Sequence, residues 1–186
     1  MSDNCLHIVP IHEGDYPNAS QKAEEILQWF IEKDIVENEL SDCTLSSQQG
    51  YRFKPAIADL FKDGEIWAYS KSLKTHGLEI TSGTTRKVFH PMEGMYLEIH
   101  CPHCKNEIDE ETAFSWVGNW AKGQNTFQCT HCQNKAHLVR YTIEPEWGFS
   151  NIGITLWNAH WDAKPAFINV MEHLFECPVI LIQVRI

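Results

Sequence analysis

The chain has 186 residues, 43% apolar and 22% charged, an ordinary globular composition with length enough for a full hydrophobic core. Its formal charge of −10 works against binding a phosphate backbone, since such affinity rests on Lys and Arg replacing counterions. No apolar run approaches the roughly 18 residues that cross a bilayer, and the first residues lack a signal peptide's basic start and apolar stretch; the expectation is a cytoplasmic protein that does not contact membranes.

Leu6 to Ile11 alternates loosely and reads as an opening strand. Asn18 stands where a helix cap would, with Gln21 three residues on to reach back to it. Ile26, Leu27, Phe30 and Ile31 then fall on one helical stripe, with Glu24, Glu25, Gln28, Glu32 and Lys33 outside it. Acid concentrates here: ten acids and two bases in residues 1–50 give −8. Residues 38–50 are polar and turn-like. Pro55 opens a short helix through Phe61, closed by Asp63-Gly64. Glu65 to Tyr69, Gly77 to Thr81, Lys87 to His90 and Tyr96 to His100 read as short strands. Ser82-Gly-Thr-Thr-Arg-Lys87 reads as a turn carrying exposed bases, because the spacing of a phosphate loop is absent.

Farther on, Asp109 can cap a helix in which Ala113, Trp116, Val117 and Trp120 share a face, and Gly123 can end it. The two tryptophans are expected to pack on the rest of the fold. Phe149 to Trp157 reads as a strand. Pro165 starts a helix with Phe167, Ile168, Met171, Leu174 and Phe175 on one stripe, and Pro178 stops it. Val179-Ile-Leu-Ile182 then reads as a strand buried on both sides. The expected fold class is α+β: a mixed sheet with packed helices in a single unit over residues 1–186, with a module inserted at 97–140.

That module carries the most specific motif. Cys101-Pro-His-Cys104 and Cys129-Thr-His-Cys132 are separated by 24 residues, Lys105 to Gln128. Each C-x-x-C turn puts two sulfurs on one side, and two facing turns complete a tetrahedron around one structural Zn²⁺ with no position left for water. An odd total of seven cysteines also suits a reducing compartment. Cys5, Cys43 and Cys177 are left as small buried hydrophobes. His103 and His131, inside the pairs, are expected to stay exposed. Asn106 and Asn134 share an offset and suit a positive φ.

Residues 101–134 resemble the zinc-ribbon and rubredoxin-knuckle class. They depart from it where Lys105 and Gln133 replace the usual Gly after the second Cys. With Ile8-Val-Pro10, Asp15-Tyr-Pro17 and Trp147-Gly-Phe149, the whole chain resembles a group of small uncharacterised bacterial zinc-binding proteins. That resemblance implies a shared fold and metal site and carries no activity.

The leading reading is a non-catalytic protein-interaction factor, an inhibitor, adaptor or immunity-type protein, whose acidic surface suits a basic partner. Trp147, Phe149, Asn158, His160 and Trp161 are the candidate partner-binding residues, an aromatic set with polar tips. A nucleic-acid-binding zinc ribbon is the disfavoured alternative, resting on Lys71, Lys74, Arg86 and Lys87. An enzyme with a pocket near Trp147–Trp161, using His160, Asn158 and Glu144 or Glu146, is the other. No catalytic motif such as G-x-S-x-G or H-E-x-x-H occurs.

Overall fold

The computed structural model describes residues 3–91 and 96–186. The chain opens with strand β1 (Asn4–Pro10) and helix α1 (Ala19–Glu32), as the hydrophobic stripe requires. Asn18 does not cap α1 as expected. It lies at φ 51 with no side-chain cap bond, its carbonyl takes the Lys22 N–H at 3.0 Å, and Gln21 bonds Glu25 instead.

Two strands follow, β2 (Val36–Ser41) and β3 (Gly50–Phe53), then a 3-10 turn at Pro55–Leu60 and a one-turn helix α2 (Gly64–Trp67). Both local readings there fail. Residues 36–41 form a strand despite their polarity because only Val36 must be buried at a sheet edge. Residues 64–67 coil because Ala68 can then return its N–H to the Gly64 carbonyl at 2.9 Å.

The long strand β4 (Gly77–Phe89) joins two of the expected strands through the segment read as a basic turn. Six further elements surround the cysteines: β5 (Glu98–His100), β6 (Glu107–Ile108), α3 (Glu110–Ala121), β7 (Thr126–Gln128), β8 (Lys135–His137) and β9 (Thr142–Glu144). The chain closes with β10 (Gly148–Trp157), α4 (Pro165–Phe175) and β11 (Val179–Arg185).

The fold class is α+β. Its main sheet has the order β11-β1-β10-β4-β3-β2. Every pairing in it is antiparallel, so the mixed ladder expected from sequence is absent. The reason is the position of β1, which pairs with both β10 and β11 and separates the two ends of the C-terminal strand–helix–strand unit. That placement also makes β11 an edge strand, and Val179 to Leu181 are half-buried instead of covered on both faces. All ten residues of β10 are buried, as its central position demands.

One face of the sheet packs against α1 and α4. Leu6, Ile8, Ile152, Ile154 and Leu156 meet Ile26 and Phe30 of α1 and Phe167, Met171 and Phe175 of α4. Trp29 stacks on Phe167 at 6.2 Å between centroids. Each fully buried side chain of this size contributes about 1.5–3 kcal/mol. Tyr16 bridges the loop after β1 to α4, donating its hydroxyl to the Phe175 carbonyl at 2.6 Å. Its backbone N–H goes to Asn151 Oδ1 at 2.7 Å, while Asn151 Nδ2 donates to the Gly83 carbonyl at 2.8 Å. Asn151 thus fills the break in register between β10 and β4.

Candidate metal centre

The cysteines come from two turns with the same internal bonding. Lys105 N–H donates to the Cys101 carbonyl at 3.0 Å, and Gln133 N–H to the Cys129 carbonyl at 3.1 Å. The Cys101 and Cys129 N–H groups donate to the Asn106 and Asn134 carbonyls, at 3.0 and 2.9 Å. His103 N–H points at Cys101 Sγ and His131 N–H at Cys129 Sγ, both at 3.4 Å. These N–H donors favour the thiolate form of the sulfur they face. The positive φ needed to close each turn falls on Lys105 and Gln133, 63° in both, and not on the asparagines as the sequence suggested. The backbone therefore adopts the geometry of a glycine without having one.

The four sulfurs lie within 4.8 Å of one another. Two facing edges, Cys101–Cys132 and Cys104–Cys129, are each 3.7 Å. A tetrahedron of metal–sulfur bonds of about 2.3 Å has edges of about 3.8 Å. The donor set therefore fits a metal ion held by four thiolates. His103 and His131 are exposed and stay outside the set, and His131 Nε2 meets the Glu107 carbonyl at 3.0 Å, tying the second turn to β6.

α3 supports this centre. Asp109 accepts the Thr112 N–H at 3.0 Å, with Glu110 and Glu111 in the first turn, as the sequence predicts. Trp116 packs on Phe127 and Tyr141, both at 5.1 Å. Trp120 is 2% exposed and meets Phe149 of the main sheet edge-on at 5.2 Å. The tryptophans are core, as expected.

Arg86 fastens the arrangement. Its Nε meets Asp15 Oδ1 at 2.6 Å, Nη1 donates to the Trp120 carbonyl at 2.8 Å and Nη2 to Asn125 Oδ1 at 2.6 Å. Its guanidinium also sits 4.9 Å from the Trp120 ring centroid. The side chain is only 7% exposed. The sequence alone makes it a surface base, because nothing local marks a guanidinium whose partners lie in two distant segments. Glu13 adds a second tie, to Arg140 Nε at 2.6 Å and His137 Nε2 at 3.5 Å, and the Arg140 bond holds its carboxyl below the usual range.

The candidate partner-binding residues separate into two places. Trp147 and Phe149 are buried in the core around the cysteines, Trp147 beside His90 and Phe114. Asn158, His160 and Trp161 line a groove of about 730 Å³ with Asp3, Lys74 and Asp162 among its other walls. Within it Asn158 is occupied structurally. It takes the Asn4 N–H at 2.8 Å and donates to Asp3 Oδ1 at 2.6 Å and the Thr75 carbonyl at 2.8 Å. His160 Nδ1 accepts the Asp162 N–H at 3.0 Å. Glu144 and Glu146 do not line the groove, so the acids of the enzyme reading are not brought to its histidine.

Three of the four bases of the nucleic-acid reading have partners in the fold, and Lys71 is exposed. Lys74 pairs with Asp42 at 3.1 Å, Arg86 is spent as above, and Lys87 donates to Thr81 Oγ1 at 3.1 Å. Cys5 and Cys43 are buried and Cys177 half-buried, as small hydrophobes would be. Among the described residues no helix is long and apolar enough to cross a membrane. Comparison with protein-family models, curated proteins and solved structures finds no match to this chain.

Proposed function

We propose that the protein is a non-catalytic interaction factor that works in the cytoplasm. In this reading the residue 97–140 module is inserted in one unit over 1–186, and its four-cysteine centre holds one structural zinc. A closed set of four thiolates suits zinc, with iron the other metal it can hold, and it leaves no open position for catalysis. The partner is a basic protein, bound as an inhibitor, adaptor or immunity-type factor would bind it.

The observation that carries the partner reading is exposed acid without a salt-bridge partner among the described residues, on α1 and on the edge strand β2. Glu24 on α1 and Glu37 and Glu39 on β2 are exposed, and Leu40, which follows Glu39 in the strand, is 54% exposed. A protein surface that combines uncompensated acid with an apolar contact suits a basic partner better than a polyanion. The groove at Asn158, His160 and Trp161 is the second place where the partner would bind.

Two measurements test this. Elemental analysis should find about one zinc per chain, lost in Cys104→Ser; a coloured iron protein would overturn the metal assignment. Native purification at low salt should retain one basic protein in stoichiometric amount, and the triple variant Glu24→Lys/Glu37→Lys/Glu39→Lys should release it. Retention by the charge-reversed variant, or no retained protein at all, overturns the partner reading.

A further inference from the structure

The sheet face opposite α1 and α4 carries a polar cluster used by neither the metal centre nor the groove. Register sets His7, Thr155 and Glu79 side by side across β1, β10 and β4, with Cys5 beside Trp157 in the next row. β4 then jumps from Ser82 opposite Ile152 to Lys87 opposite Ser150. Beyond that jump Phe89 lies against Gly153, where a Cβ would stand 2.6 Å from the ring. Only glycine allows this approach. The result is a cavity of about 200 Å³ whose walls include His7, Glu79, Lys87, Phe89, Thr155 and Trp157.

Glu79 is a buried carboxylate with half its bonding unmet. Its side chain is 4% exposed. Oε2 accepts the Trp157 indole N–H at 2.8 Å, whereas Oε1 faces Lys87 Nζ at 3.9 Å, too far for a hydrogen bond. The Lys87 ammonium instead bonds Thr81 and stands 5.0 Å from the Phe89 ring centroid. Among the described residues Oε1 has no protein donor at hydrogen-bond distance and is left open toward the cavity. Glu79 and Lys87 thus form a long ion pair with no hydrogen bond between them, at an aromatic-walled opening. Both nitrogens of His7 are occupied, Nδ1 by Thr155 Oγ1 at 2.8 Å and Nε2 by Cys5 Sγ at 3.8 Å. Burial pushes its pKa down to about 3 and the Cys5 thiol up to about 12, so both are neutral near pH 7 and Cys5 is no nucleophile.

We propose that this cavity binds a small amino-acid-like zwitterion, its ammonium on Glu79 Oε1, its carboxylate on Lys87 Nζ and an apolar side chain against Phe89 and Trp157. A ligand carrying both charges completes both protein groups. A lone cation or anion would bond one member of this ion pair and offer nothing to the other. The volume, below the roughly 300–1,000 Å³ of drug-sized sites, restricts the ligand to a single small amino acid.

The test is calorimetric titration of the intact protein with L-leucine, L-valine and L-methionine, against isopentylamine and isocaproate, which each carry one of leucine's two charges. At least one amino acid should bind in the millimolar range or tighter. The single-charge analogues should bind at least about tenfold more weakly, and Lys87→Met and Glu79→Gln should each weaken the amino acid by about tenfold or more. Lys87 is 42% exposed, so its variant separates lost binding from lost folding if Glu79→Gln unfolds. No binding by any of the three amino acids overturns the proposal, as does equal binding of the amine or unchanged affinity in Lys87→Met.

Discussion

At the scale of single residues, the φ of 63° at Lys105 and Gln133 is where the chain departs from the favoured chemistry of its own turns. A side chain in the left-handed region costs about 1–2 kcal/mol, against about 0.5–1 kcal/mol of extra entropy lost by a glycine. Lys105→Gly and Gln133→Gly are therefore each expected to stabilise the metal-loaded protein by about 0.5–1 kcal/mol, read from the denaturant midpoint; a loss of stability would show the long side chains make contacts worth more than the strain. His7 gives a pH dependence. Its pKa is about 3 when folded and near 6.5 when unfolded, so the unfolded chain binds the extra proton between those values. The stability His7 supplies is complete above about pH 6.5 and drains away as pH falls toward 3. Chemical unfolding of wild type and His7→Gln over this range should show the difference between them shrinking in acid, a subtraction that removes the thiolate protonation common to both.

At the scale of elements, α3 is both a bridge between the cysteine turns and a bolt to the main sheet. Trp120 reaches Phe149, and Arg86 reaches back from β4 to the Trp120 carbonyl. Trp120→Ala should cost about 3–5 kcal/mol, the range for a buried large-to-small change that leaves a cavity. Arg86→Ala should also be destabilising, since it strands Asp15 and Asn125 together with a carbonyl. In hydrogen exchange both variants should speed the amides of α3 more than those of the β1–β10 pair; equal acceleration everywhere would mean that α3 is part of one indivisible cooperative unit. The helices were legible because each has a stripe or a cap: α3 follows Asp109, and α1 and α4 follow their apolar periodicity. The edge strand β2 was not, because an edge needs little apolar content, and α2 is too short for a period to exist.

At the scale of the whole molecule, β10 joins three buried clusters, two of them large. One lies under α1 and α4, and the other surrounds the cysteines and takes in Trp147 and Phe149. Removing the metal acts on the second directly, since binding free energy at such sites is folding free energy of about 10–16 kcal/mol. Chelation is expected to collapse protection of β5 to β9 and α3 while the β1–β10–β11 amides keep theirs, a pattern read by hydrogen exchange. Loss of protection across the main sheet at the same chelator concentration would show that the first core cannot stand without the second. The same division explains why Trp147 and Phe149 fall apart from His160 and Trp161. The chain between them is the buried strand β10, and its two ends open on different parts of the fold.

The sequence by itself determined the four clustered cysteines, the α+β class and three helices, because a C-x-x-C turn, a cap and an apolar stripe are each complete within a few residues. It also indicated where acid gathers. The antiparallel sheet, the insertion of β1 between β10 and β11, the spending of Arg86 and the meeting of His7, Glu79 and Trp157 were decided only by the tertiary structure. Strand order and buried polar pairs join segments far apart in the chain, and their energy lies in contacts that no local spacing records.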